Sequence, residues 1–165
     1  MSPEAIKFRL VTGMRQGSRR AVGFLRGHDE LDAAEWFYAL KASRKSFTLV
    51  SMETWASGSM DIKTRFHGFP NDTEYPLSFV FKTKENKAGH RFYGYLYHPE
   101  PITYPRLEIC VLCIHAFKND KDTDRTELKR VDEWSKNTAA KAAIRAEIAD
   151  KKKDKEKGKL LPWKA

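Results

Sequence analysis

Cysteine is scarce in this chain and long apolar runs are missing, and each shortage closes off a class of protein. Cys110 and Cys113 are the only 2 cysteines among 165 residues, so a small secreted scaffold stapled by disulfides is excluded. The two stand three apart inside an apolar run. On a strand such residues point to opposite faces, poorly placed to bridge each other or to share a metal. Two small buried side chains are the simpler reading. No His/Cys/Asp set has metal-ligand spacing, so neither a metal nor another cofactor is expected. An N-terminal apolar h-region is missing, as is any apolar run of about 18 residues, which argues against a signal peptide and a membrane span and for a cytoplasmic protein.

Acid is also in deficit, with 31 Lys and Arg against 22 Asp and Glu and a formal net charge of +9. The excess favours polyanionic partners, nucleic acid among them, although a solubilising surface with a basic tail has the same composition. Apolar and aromatic side chains are plentiful, at 41% and 12%. A single domain of this length buries roughly two thirds of its unfolded surface and needs no staples.

Along the chain, residues 5–12 (AIKFRLVT) alternate apolar and basic positions, a half-buried strand closed by Gly13. Residues 14–26 (MRQGSRRAVGFLR) are basic and glycine-interrupted and read as loop or weak helix. From Asp29 to Lys45 helical spacing takes over, with Leu31, Ala34 and Phe37 or Tyr38 on one stripe behind Asp29 as cap. Residues 47–55 extend this helix or form a strand. The segment 56–76, punctuated by Gly58, Gly68, Pro70 and Pro76, is loop-rich. It still contains KTRFHGF, in which Lys63, Arg65 and His67 are either an RNA contact or plain loop surface.

Three strands follow in close order: 77–84 (LSFVFKTK), 91–97 (RFYGYLY) and 107–117 (LEICVLCIHAF). Residues 85–89 make a hairpin between the first two, and the proline-rich 99–105 leads to the third. Residues 124–134 read as a helix with Asp124 and Glu127 as a capping box and Leu128, Val131 and Trp134 on its apolar side. The expected architecture is α+β: a small antiparallel sheet of 3–5 strands, N-terminal helices packed on one face, and a C-terminal helix. The domain spans 1–137, and 138–165 forms a basic extension, helical or disordered.

Cleaving RNA without a metal takes a base for the 2′-hydroxyl, an acid for the departing 5′-oxygen and cations for the charge on the phosphorane. Arg, Lys, His and Tyr supply all three. Lys82 and Lys84 close the first of these strands, and Arg91 opens the second directly across the hairpin. Tyr93, Tyr95 and Tyr97 follow Arg91 on the same face by the two-residue period. Rings on a basic sheet suit base stacking, and they suit packing beneath a helix equally well. The third strand ends in His115, with Lys118 and Lys121 just beyond. His115 alone there titrates near neutrality, which makes it acid or base, while Arg91, Lys118 and Lys121 suit phosphate. A core-edge histidine and helix-entry lysines are the plainer alternatives. His90 and His98, which bracket the second strand, read as surface.

The succession Lys82-Thr83-Lys84, RFYGYLY and LEICVLCIHAFKNDKDTDRTELKRVDEW resembles the C-terminal half of the RelE/HigB-type toxins, especially their phage-protein-like branch, over residues 77–134. In that branch a strand bearing Arg and paired aromatics precedes a hydrophobic strand ending in His-x-Phe-x-Lys, a Thr-rich turn and a helix of alternating Lys, Arg and Glu. Here His115-Ala116-Phe117-Lys118 with Thr123 and Arg125 carries the match. The resemblance implies a RelE-like fold and the toxin of a toxin–antitoxin pair, an endoribonuclease that cleaves mRNA, usually on the translating ribosome, and is partnered by a cognate antitoxin protein. The segments 56–76 and 99–105 and the lysine-rich tail make this chain longer than a typical member. A non-catalytic RNA- or protein-binding module of the same fold and a gyrase-directed toxin remain as alternatives. Assembly of Arg91, Tyr93, His115 and Lys118 in one place would favour the nuclease.

Overall fold

The computed structural model describes residues 5–12, 20–99, 107–118 and 125–156, with side chains as far as Lys151 in the last of these. Among them are strands β1 (Lys7–Thr12), β2 (Arg20–Arg26), β3 (Phe66–Gly68), β4 (Ser78–Glu85), β5 (Ala88–Tyr97) and β6 (Glu108–Phe117), and helices α1 (Ala33–Ala39), α2 (Ala42–Ala56), α3 (Arg125–Ser135) and α4 (Thr138–Glu156). The fold is α+β, and the described strands form one 6-stranded sheet in the order β1-β2-β6-β5-β4-β3. The meander β4-β5-β6 is antiparallel, as its turn-separated apolar runs require.

The expectation of a sheet of 3–5 antiparallel strands is corrected in number and in kind. The sheet is mixed, because β2 runs parallel to β6 from the pair Arg20↔Glu108 to Phe24↔Leu112. Strand β2 lies in the stretch read as loop or weak helix. Its Ala21, Val22, Phe24 and Leu25 are all buried, the continuous apolar pattern of a strand covered on both faces. Gly23 breaks that pattern in the sequence because a side chain there would collide with the ring of Phe8 on β1 and the Arg9 carbonyl. The 3-residue β3 is too short to show a period.

Helices cover both faces. On one side α1 and α2 bring Phe37, Met52 and Trp55 onto Phe24, Phe79, Phe81 and Phe92. The single helix expected over 29–45 is two, because Leu40 and Lys41 are extended, with ψ of 150° and 149°. The doubtful stretch 47–55 belongs to α2. On the other side α3 lays Leu128, Val131 and Trp134 over Tyr93, Tyr95, Val111 and Ile114. Each fully buried side chain of this size contributes about 1.5–3 kcal/mol. Helix α4 is part of this packing: its Ala140 and Ile144 are fully buried, and Glu147 Oε2 accepts the Leu10 N–H of β1 at 2.8 Å.

One irregularity decides where the polar side chains go. Between β5 and β6 the register jumps from Tyr93↔Ile114 to Gly94↔Leu112, which leaves Cys113 as an extra residue on β6. Gly94 permits the close approach there, since a Cβ would collide with the Val111 carbonyl. Past such a bulge the strand's alternation is inverted. Cys113 and Ile114 therefore both enter the α3 side of the core, and His115 and Phe117 turn to the α1 side.

Candidate functional site

Pairing registers put a set of cations on the α3 side of the sheet, toward the β3 edge. His67 of β3 pairs with Val80, two positions before Lys82, and Lys82 pairs with Arg91. Residues paired across strands share a face, as do residues two apart on one strand, so His67, Lys82, Lys84 and Arg91 face the same way. They line a groove of 1110 Å³ with Lys63 and Lys118. The groove curls past the hairpin end of β4 and β5, where His90 and the α2 residues Arg44 and Phe47 also border it.

Positive charge dominates the walls, with Asp61 the acidic member among the described lining residues. Lys82 Nζ donates to the Lys63 carbonyl at 3.2 Å. Its ammonium is held below the ordinary lysine value by burial and by the charge of Arg91. The imidazole of His67 is likewise held below its ordinary value. Burial is the main cause and the cations of Lys82 and Arg91 add to it, against the opposing pull of the Gly68 carbonyl and Asp61. Lys118 reaches across to Glu127 of α3 at 3.1 Å, so its charge is partly neutralised from within.

The remaining residues singled out from sequence go elsewhere. His115 is on the opposite side of the sheet from Arg91, which corrects the expectation of a single site. It is buried at 8% exposure, stacked on Trp36 with ring centres 4.5 Å apart. Its Nε2 is 2.8 Å from His90 Nδ1. Burial, with a smaller contribution from His90, holds its imidazole down at about 3, so it is neutral at physiological pH. His90, read as surface, is the other half of this buried pair, with Glu85 3.8 Å from its Nε2. The bulge is the reason: simple alternation places His115 with Val111 and Ile109, and the extra residue moves it away from them.

Tyr93 and Tyr95 are core residues, at 0% and 2% exposure beneath α3, so their rings are closed to base stacking. They share Arg91's face as expected, but α3 covers that part of it. Arg65 points to α2, where its Nε donates to Ser51 Oγ at 2.9 Å and its guanidinium lies over Phe47, anchoring the segment before β3. Lys121 falls outside the described residues, as do Thr123 and Asp124. His98, read as surface, is mostly exposed, beside Glu108 at 3.7 Å.

Two participants escaped the sequence reading. Asp32 Oδ1 accepts the backbone N–H of His115 at 2.9 Å, beyond the last β2–β6 pair. Trp36, on an exposed position of α1, roofs the histidine pair. Periodicity flags neither, because both act across more than 50 residues of chain. The two cysteines are buried on opposite faces, Cys110 toward α1 and α2 and Cys113 toward α3, and burial raises both thiols. Among the described residues no group of three or more His, Cys, Asp or Glu is placed to hold a metal ion, and no helix is long and apolar enough to cross a membrane. Comparison with family models, curated proteins and solved structures finds no match.

Proposed function

We propose that the chain is an endoribonuclease of the RelE/HigB toxin type, which cleaves messenger RNA, on the translating ribosome, without a metal, and is held in check by an antitoxin protein. The observation that carries this reading is the convergence of Lys82, Lys84 and Arg91, with Lys63 and Lys118 at the margins, on one open groove. A groove walled by cations is matched to a polyanion. Lys82 and Arg91 face each other across a single strand pair, and a guanidinium held in the groove wall at 7% exposure is the better clamp for a developing phosphorane charge. The resemblance over residues 77–134 supports the same reading through Lys82, Lys84, Arg91 and Lys118. His115 has no part in it, and Tyr93 and Tyr95 serve the core. The reading also brings the chain to the cytoplasm, where mRNA and ribosomes are.

The test is induced expression in a bacterium, following growth and mapping transcript ends by primer extension for wild type and for Lys82→Ala with Arg91→Gln. Growth arrest with new transcript ends that vanish in the double variant is the expected result. Arrest without new ends would turn the reading to gyrase. No arrest, with retained RNA binding, would leave a non-catalytic module.

A further inference from the structure

We propose that His67 is the group that takes the 2′-hydroxyl proton when RNA is cleaved in this groove, an assignment that rests on the nuclease reading above. Strand β3, which delivers His67, lies outside residues 77–134, so neither the resemblance nor the strand-end residues His115 and Lys118 point to it. It is the sheet pairing that brings His67 to the face of Lys82 and Arg91.

Three features fit the imidazole to this work. First, its Nδ1 is 2.8 Å from the Gly68 carbonyl oxygen. A carbonyl only accepts, so Nδ1 carries the proton, and in the neutral ring Nε2 is left as the proton-accepting nitrogen. Second, the ring is braced edge-on by Phe69 with centres 4.9 Å apart, and the Gly68 N–H is fixed by Asp61 Oδ2 at 3.0 Å, so the orientation is set before RNA arrives. Third, the charged groups around it are Lys82 of β4, Arg91 of β5 and Asp61 of the preceding loop. Burial first, and then the charges of Lys82 and Arg91, hold the imidazole below its ordinary value against the Gly68 carbonyl and Asp61, which favours the neutral form a base must have. The other strand-end imidazole, His115, is neutral too, yet it is buried on the far side of the sheet.

The step balances within the groove. As the O2′–P bond forms, the 2′-hydroxyl proton passes to Nε2 of His67, and Arg91 holds the non-bridging oxygens. The P–O5′ bond breaks, and the 5′-oxygen leaves with a proton from the Lys82 ammonium. The products are a 2′,3′-cyclic phosphate and a free 5′-hydroxyl. Proton exchange with solvent then resets both side chains: His67 releases the proton it took, and Lys82 regains the one it gave.

The experiment measures single-turnover cleavage of a defined mRNA by purified full-length chain, alone and with programmed ribosomes, for wild type, His67→Gln and His67→Ala. Binding to a 2′-deoxy oligonucleotide, which cannot be cleaved, is followed by fluorescence anisotropy. His67→Gln should lose cleavage by about 100-fold or more with binding unchanged, the acidic limb of the wild-type pH–rate profile should disappear, and added imidazole should restore part of the His67→Ala rate. Imidazole rescue separates a missing base from a damaged fold should either variant melt early. Wild-type cleavage matched by His67→Gln, or lost in His67→Ala with no rescue and altered binding, overturns the assignment and leaves the nuclease reading standing. No cleavage by wild type under either condition overturns both.

Discussion

The side chain of His115 is the clearest case of a residue whose chemistry is set by its surroundings. Its imidazole is pushed down to about 3 from the ordinary 6.5, so the folded protein refuses a proton that the unfolded chain accepts. The sign follows: the contribution to stability is complete above pH 6.5 and is lost as pH falls from there toward 3. His90, also lowered by burial, acts in the same direction. Urea unfolding at pH 7 and pH 4.5 should therefore show a loss of stability that His115→Leu reduces, by up to about 1.4 kcal/mol per pH unit in the steepest region. An identical pH dependence in the two proteins would refute a neutral buried imidazole. Arg65 makes a parallel point. A basic residue in a basic, aromatic stretch looks like an RNA contact, but its Nε and one terminal nitrogen donate to Ser51 Oγ and the Phe47 carbonyl of α2.

At the scale of elements, α4 has the largest consequence. Its lysine-rich end gives the segment the look of a solvated extension, yet Ala140 and Ile144 are fully buried. Glu147, at 4% exposure, accepts the Leu10 N–H where β1 breaks register with β2. An outer strand's unpaired N–H is thereby satisfied and shielded. Glu147→Ala should cost about 1–3 kcal/mol, whereas Asp150→Ala, exposed on the same helix, should cost little. Ending the chain at Asn137 should lower the melting temperature far more than either. A chain cut at Asn137 that melts like the full-length protein would show α4 to be dispensable. The meander and α3 were readable in advance because alternation over 77–84 and 91–97 and the Leu128, Val131, Trp134 spacing are local signals. Strand β2 was hidden by Gly23 and by the basic residues before it. The bulge at Cys113 was hidden because nothing in LEICVLCIHAF marks an extra residue.

For the whole molecule, the formal charge of +9 becomes informative through its distribution. Several exposed bases are locally matched, as Arg125 is by Asp72 and Glu74 and Lys136 by Asp132. In the groove Lys118 is matched by Glu127, while Lys82, Lys84 and Arg91 gather on one face of β4 and β5. Binding to single-stranded RNA should weaken linearly with the logarithm of salt concentration, with a slope of roughly 0.7 per phosphate contact. Lys84→Ala, at an exposed position on the groove, should reduce that slope by about one contact, and Lys136→Ala should leave it unchanged. Equal slopes for wild type and Lys84→Ala would move the RNA path off this groove.

The local content is legible in the chain alone: an α+β composition, a three-stranded antiparallel meander, an amphipathic helix after it, a basic balance, and two cysteines on opposite faces. These rest on periodicity and composition, which neighbouring residues encode. Tertiary structure alone decided that β2 lies parallel to β6, that helices cover both faces of a mixed sheet, and that His67 joins Lys82 and Arg91 while His115 is carried away from them. Each of these follows from contacts between distant segments: Gly23 against Phe8, Gly94 against the Val111 carbonyl, Asp32 under the His115 N–H. A residue's face is inherited from its partner strand, and one extra residue in a strand reverses it.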